Sequence, residues 1–250
     1  MTLYDWPRAS AFGRVVPKNK IYEHAGANTA LKDLFVREVD QITWSHKLAP
    51  ETINLPATKS VAEIQVFRIT QREKALSTDV LRAIDRAIPF PLLFELSHGG
   101  RVKLAATYKR PNEADSTKWV LGDYFESAGL PEDGLRTPLP VALTMSALYE
   151  QLLSQLVEAQ TARLVPGTTI GFAEAPQSSF MAAPDMQPLS LEARIAVAEA
   201  IKATTREVDR IKARLGRERQ FNKRVAINAE LRAAKEDLKR LIGDGDGEAE

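Results

Sequence analysis

Cysteine is absent from this sequence of 250 residues, which excludes disulfide bonds, thiol nucleophiles and zinc ribbons. A charge excess of one sign is also absent, since 34 Lys and Arg residues face 33 Asp and Glu residues. This balance excludes a uniformly basic nucleic-acid coat but permits local patches. No apolar run approaches the roughly 20 residues that span a bilayer, and the N-terminus lacks the layout of a signal peptide. We therefore expect a cytoplasmic protein with no membrane partner.

Familiar catalytic motifs are missing as well. The sequence contains no Gly-x-x-x-x-Gly-Lys phosphate loop, no Gly-x-Gly-x-x-Gly fingerprint, no His-Glu-x-x-His and no Gly-x-Ser-x-Gly. The three histidines, His24, His46 and His98, are far apart in the sequence, whereas a metal site needs several converging ligands. We therefore predict no catalytic residue, no metal site and no cofactor.

Residues 1–165 combine helical and strand patterns. An N-cap at Asn28-Thr29 and apolar steps of three and four residues predict a helix to about Lys47. The β-branched segment Ala62–Ile69 predicts a strand, and caps at Ser77–Asp79 begin a helix that Pro89 ends. Further elements are a hairpin around Gly99-Gly100, a strand near Trp119–Leu121 and a helix with Leu143, Ala147, Leu152 and Leu156. Together these patterns predict an α+β domain, a mixed sheet with packed helices.

The register of the predicted hairpin depends on the length of its loop. A three-residue loop places Leu96 opposite Val102, so that the apolar side chains of both strands share one face. A two-residue Gly99-Gly100 turn instead places Leu96 opposite Lys103 and separates the apolar sets. The alternation of apolar and polar residues along the two strands therefore favours the longer loop, which places Glu95 opposite Lys103 on the solvent side.

The composition changes after residue 165. Residues 166–190 contain four prolines among Gly, Ser, Ala and Gln, which predicts a linker or extended arm. Residues 191–242 predict an antiparallel α-helical coiled-coil hairpin that turns between Gly216 and Arg224. The polar, Gly-rich residues 243–250 predict a disordered acidic tail. The predicted seam comprises Ala198, Ile201, Thr205, Val208 and Leu215 on one helix, and Ile227, Leu231, Ala234, Leu238 and Leu241 on the other.

The predicted turn carries the strongest surface signal. Between Arg206 and Arg224 eight basic residues face three acidic residues, in a chain whose formal net charge is +1. A projecting basic tip can contact phosphates or an acidic protein. Phe221 within the tip either caps the end of the seam or serves as an anchor in a partner's pocket. Ordinary solvation of a helical hairpin is the simpler alternative. The candidate protein- or nucleic-acid-binding residues are Arg214, Arg217, Arg219, Phe221, Lys223 and Arg224.

A divergent metal-dependent nuclease of the PD-(D/E)xK type is the enzymatic alternative. Such sites gather carboxylates and a lysine around Mg²⁺, and the candidates here are Glu38, Glu63, Glu95 and Lys103. The usual strand carries an acid and a lysine two residues apart, but Gln65 occupies the lysine position after Glu63. This alternative requires the carboxylates to converge in space.

Several segments resemble a bacterial family known only as domain of unknown function 4391, over about residues 15–242. They are Val16–Glu23, Leu31–Val36, Trp44–Asn54, Ala62–Phe67, Ile84–Pro91, Phe94–Leu96 and Gln220–Val225. No catalytic motif is established for that family, so the resemblance implies no site residues. It implies a context, because such proteins are typically encoded near helicases and DNA methyltransferases. Those neighbourhoods look like restriction or anti-phage defence systems.

These observations favour a non-enzymatic adaptor in a bacterial DNA-modification or anti-phage defence assembly. Its hairpin would contact a helicase, a DNA methyltransferase or DNA through the basic tip. The nuclease stays the alternative, and an unpaired apolar seam also leaves homo-oligomerisation through the hairpin open.

Overall fold

The computed structural model describes residues 1–112, 119–165 and 189–243. The chain divides into two compact units, Met1–Leu156 and Val157–Glu250. The predicted linker lies outside the described residues except for its last two positions, and the predicted acidic tail lies outside them except for Gly243.

The first unit is built around a mixed sheet, as predicted. Its described strands are β2 (Ala11–Val15), β3 (Val39–Leu48), β4 (Ile64–Gln71), β5 (Leu92–His98), β6 (Arg101–Pro111), β7 (Trp119–Glu126) and β8 (Leu130–Pro131). The order runs β2-β3-β4-β5-β6-β7, and β8 also pairs with β6. Only β4 and β5 among these described pairs are parallel. A separate pair joins β1 (Leu3–Tyr4) to β9 (Arg136–Thr137).

Helices pack on this sheet, so the predicted α+β class is confirmed. They are α1 (Lys18–Ala25), α2 (Thr29–Glu38), α3 (Pro50–Ile53), α4 (Thr78–Ala87) and the part of α5 (Met145–Leu164) that belongs to the first unit. Local signals define two of the starts, since the side chains of Asn28 and Ser77 accept hydrogen bonds from backbone N–H groups in the first turns of α2 and α4. The helix α4 provides the crossover that parallel strands such as β4 and β5 require.

The predicted helix from Asn28 to about Lys47 was wrong in its second half. The helix α2 ends at Glu38, and β3 begins at the next residue. The apolar spacing through Val39 and Ile42 fits a helix, but both residues pair with β4 and are buried there. Strand pairing between distant segments therefore overrides the local periodicity.

The predicted hairpin register was also wrong. Gly99 and Gly100 form a two-residue turn with positive φ angles of 56° and 73°, and Leu96 lies opposite Lys103. The longer loop was predicted because one face of the hairpin was expected to be exposed to solvent. In the structure every residue of β5 from Leu92 to Ser97 is buried. A strand that is covered on both faces has no solvent side to set its register. Glu95 accordingly lies opposite a leucine and is buried.

The second unit contains the predicted pair of C-terminal helices, α6 (Leu191–Arg217) and α7 (Phe221–Gly243). They pack against each other across a three-residue connection, Glu218–Gln220. Four predicted seam residues, Ala198, Ile201, Val208 and Ile227, are buried, and the other six are half-buried. No helix within the described part of the chain combines the length and the apolar character needed to cross a membrane.

Candidate functional site

The predicted contact residues surround the connection between α6 and α7, and all six are exposed. We call residues 214–225 the basic tip. Two hydrogen bonds shape its turn, because a carboxylate oxygen of Glu218 accepts from the backbone N–H groups of Arg219 at 2.9 Å and Gln220 at 2.8 Å. These bonds lower the pKa of Glu218, with the bond to Gln220 as the largest cause. The acidic residue of the tip thus stabilises the turn before α7.

Basic side chains before and at the start of the tip form ion pairs within the molecule. Arg210 lies 2.7 Å from Glu207, and Lys212 lies 3.1 Å from Asp209, both on α6. Arg214 pairs across the hairpin with a carboxylate of α7, Glu230. Exposed pairs of this kind contribute little to stability, but they locally compensate these cations. Arg214 is therefore the one predicted contact residue whose charge is already matched.

The remaining basic side chains of the tip differ in this respect. Arg217, Arg219, Lys223 and Arg224 are exposed, and none forms an ion pair with another described residue. With Glu218 as the only acidic residue from 216 to 225, four cations and one carboxylate leave a formal charge of +3. Among the cations from Arg210 to Arg224, those up to Arg214 pair with a carboxylate, and the four that follow pair with no described residue.

Apolar side chains accompany these charges. Phe221 is 78% exposed and Val225 is 54% exposed. They lie four residues apart at the start of α7, so they share one side of the helix. A depression of about 390 Å³ at the end of α6 is lined by Arg210, Ala213, Arg214, Arg217 and Glu218. The tip therefore presents apolar side chains within a basic surround.

The carboxylates considered for a nuclease do not converge. Glu38 lies at the end of α2, where it accepts a hydrogen bond from the backbone N–H of Ser77 at 2.6 Å. Glu63 precedes β4 and lies 3.3 Å from the ammonium group of Lys47. Because β3 and β4 run antiparallel, these two residues flank opposite ends of the strand pair. The strand β4 between them, from Ile64 to Gln71, spans roughly 23 Å at 3.3 Å per residue.

The third carboxylate, Glu95, has a structural role. It is 3% exposed, accepts a hydrogen bond from the indole N–H of Trp6 at 2.8 Å and lies 3.5 Å from the guanidinium of Arg136. These contacts tie the N-terminal segment and β9 to β5. The predicted pairing of Glu95 with Lys103 was wrong, because Lys103 instead lies 3.5 Å from Glu126 on β7. Among the described residues no group of three His, Asp or Glu residues is placed to hold a metal ion.

His46 lies beside this carboxylate, in β3. Its ring is 5.8 Å from the ring of Trp6, and its buried Nδ1 atom has no hydrogen-bond partner among the described residues. Burial lowers the pKa of His46, partly opposed by the negative charge of Glu95. The helix C-terminus that the sequence suggested near this residue does not exist, so its charge is not stabilised in that way.

Sequence reasoning missed a buried polar cluster between α4 and the sheet. The ammonium group of Lys109 donates hydrogen bonds to the backbone carbonyls of Asp85 and Ile88, both at 2.5 Å, and lies 3.4 Å from the Asp85 carboxylate. The hydroxyl of Tyr124 donates to the other carboxylate oxygen. Burial raises the pKa of Asp85 to about 6 and lowers that of Lys109. The lysine thus caps carbonyls at the end of α4. In the sequence Lys109 shares the polar positions of its strand with Lys103, so the pattern indicates exposure to solvent and not burial.

Comparison with known proteins gives one match. The sequence model of the family described as Domain of unknown function (DUF4391) matches residues 4–238, which include described parts of both units. No curated protein and no solved structure matches the chain.

Proposed function

We propose a function for this chain on the basis of its exposed residues. The chain belongs to the family described as Domain of unknown function (DUF4391). The protein is a non-enzymatic adaptor whose basic tip binds another component of an assembly. The observation that carries this proposal is the set of four exposed tip cations that form no ion pair within the described residues, namely Arg217, Arg219, Lys223 and Arg224.

The contrast with the neighbouring cations supports a binding role. Arg210, Lys212 and Arg214 each lie beside a carboxylate of the same unit, so ordinary solvation by paired charges accounts for them. The four tip cations that follow Arg214 have no such pair within the described residues, whereas pairing resumes further along α7 between Arg240 and Asp237 at 3.5 Å. A cluster of like charges raises the local potential, steers an oppositely charged partner and speeds its association.

The positions of the candidate carboxylates support a non-catalytic role. Glu38 stabilises the start of α4, Glu63 pairs with Lys47, and Glu95 joins two segments to β5. Each is engaged in a separate structural contact, whereas a nuclease site needs its carboxylates around one position.

The proposed setting is a bacterial DNA-modification or anti-phage defence assembly, with a helicase or a DNA methyltransferase as the partner. Its support is the gene neighbourhood that the family resemblance implies. DNA itself and a second copy of the chain are the competing partners.

Purification of the tagged full-length chain from its native operon tests the proposal. Reversal of the four tip cations (R217E, R219E, K223E and R224E) is expected to remove the co-purifying protein. The matched control reverses four exposed basic residues outside the tip (R206E, R232E, K235E and K239E) and is expected to retain it. Retention by the tip variant contradicts the proposal. So does a wild-type chain that brings down no protein and binds no DNA.

A further inference from the structure

We propose that Phe221 is the apolar anchor of the tip, and that it enters a pocket on a protein partner whose rim carries carboxylates. This inference rests on the proposed function and specifies the chemistry of its partner. The occupant of the tip is therefore a folded protein surface, not a nucleic acid.

The first support is the unusual exposure of Phe221. The rings of Phe35, Phe67, Phe94 and Phe125 are fully buried in the first unit. Phe221 is the only exposed phenylalanine among the described residues, at 78%. An exposed aromatic side chain of this size stays out of the packing between α6 and α7, although the apolar seam begins only six residues later at Ile227.

The second support is the arrangement around Phe221. Val225 lies one helical turn further along α7 and extends the apolar side of the tip. Arg217 precedes this pair in the sequence, and Lys223 and Arg224 lie between its two members. All three are exposed without ion pairs in the described structure. An apolar centre with a charged rim is the arrangement of protein–protein contacts, in which one buried aromatic residue provides much of the affinity.

Charge complementarity identifies the partner's rim. Residues 216–225 of the tip carry a formal charge of +3, and the single carboxylate of the tip, Glu218, accepts hydrogen bonds from backbone N–H groups of the turn. A partner pocket bordered by Asp and Glu supplies the missing counter-charges. Duplex DNA supplies counter-charges too, but its phosphates offer nothing to Phe221 and Val225. Stacking on single-stranded bases uses an aromatic ring but leaves Val225 without a role.

The test uses the full-length chain and the partner protein that co-purifies from the native operon, each purified and then titrated by calorimetry. We expect Phe221→Ala to raise the Kd at least tenfold and Phe221→Leu to restore it to within about threefold of wild type. Val36→Ala is the control, because Val36 is 61% exposed but lies on α2 in the first unit. The melting temperature of each variant is measured, and we expect no change for the exposed Phe221.

The outcomes separate this inference from the proposed function. If tip charge reversal abolishes binding but Phe221→Ala leaves the Kd within twofold, the anchor is wrong and the adaptor proposal stands. If neither change affects the Kd, both are wrong. If the purified chain binds no protein but binds a 20-base-pair duplex or a 20-nucleotide single strand, and tip reversal abolishes that binding, the protein partner is wrong.

Discussion

Replacing Lys109 by methionine should destabilise the first unit severely, because it removes the cation of a fully buried pair while keeping a side chain of similar length. Both Lys109 and Asp85 have side chains with 0% exposure. Removing one partner of a buried pair costs about 3–5 kcal/mol. The carbonyls of Asp85 and Ile88, at the end of α4, also lose their donor, and each unsatisfied group costs about 1–3 kcal/mol when no water replaces it. Because these costs overlap, we expect a total loss of about 4–5 kcal/mol.

This loss is large against the 5–15 kcal/mol that is typical of a whole domain. Urea denaturation followed by tryptophan fluorescence measures it, since all three tryptophans lie in the first unit and Trp119 lies 5.6 Å from the Lys109 ammonium group. The control is Lys103→Met, which removes a half-buried pair at 3.5 Å that still contacts solvent, and it should lower the free energy of unfolding by less than about 1 kcal/mol.

A second variant identifies the cause. Adding Asp85→Asn to Lys109→Met removes the uncompensated carboxylate but retains an acceptor for the Tyr124 hydroxyl. We expect the double variant to recover at least about 1 kcal/mol, because the buried charge is gone. A loss below about 1 kcal/mol in Lys109→Met, or no recovery in the double variant, would refute the buried-pair reasoning.

Three further predictions concern single residues of the first unit. Glu95→Ala should cost about 2–4 kcal/mol in urea denaturation, because it leaves Arg136 without its buried partner, and Glu95→Gln should cost less; equal losses would contradict this. Burial lowers the pKa of His46 below its unfolded value, so the unfolded chain binds the extra proton, and stability should fall as the pH drops through about 6.5. His46→Gln should weaken this dependence between pH 7.5 and 5.5, whereas the exposed His24→Gln should not. Gly100→Ala should lower the free energy of unfolding by about 1–2 kcal/mol. The cause is the φ of 73° alone, because a Cβ at this position meets no atom within 4 Å. Gly100→Asn should lower it less.

The parts of the fold that local chemistry determines could be predicted from the sequence. Ser77 caps α4 and Pro89 follows its end, so the helix lies close to where these signals place it. The second unit behaves in the same way, because the spacing of Ile201, Val208 and Ile227 is itself the packing pattern of the two helices. In both cases neighbouring residues suffice to specify the element.

The parts that failed depend on segments far apart in the chain. The apolar steps through Ile42 suit a helix, and only pairing with β4 makes that segment a strand. The hairpin register depends on cover over both faces of β5, which no residue of the hairpin reveals. Lys109 looks like a solvent-facing strand residue until α4 supplies its carbonyls. Contacts with distant segments of the chain determine all three features, so the local sequence pattern cannot predict them.

The difference between local and distant contacts also reduces the number of residues in the candidate site. The sequence shows eight basic residues against three acidic ones from Arg206 to Arg224, which suggests one continuous basic surface. The structure divides that set, because Arg214 meets Glu230, sixteen residues away on the other helix. The surface that lacks counter-charges within the described residues then begins at Arg217, close to the exposed Phe221. A binding surface centred on an aromatic side chain, with cations only around it, is expected to select partners by shape as well as charge, whereas a uniformly basic helix selects by charge alone.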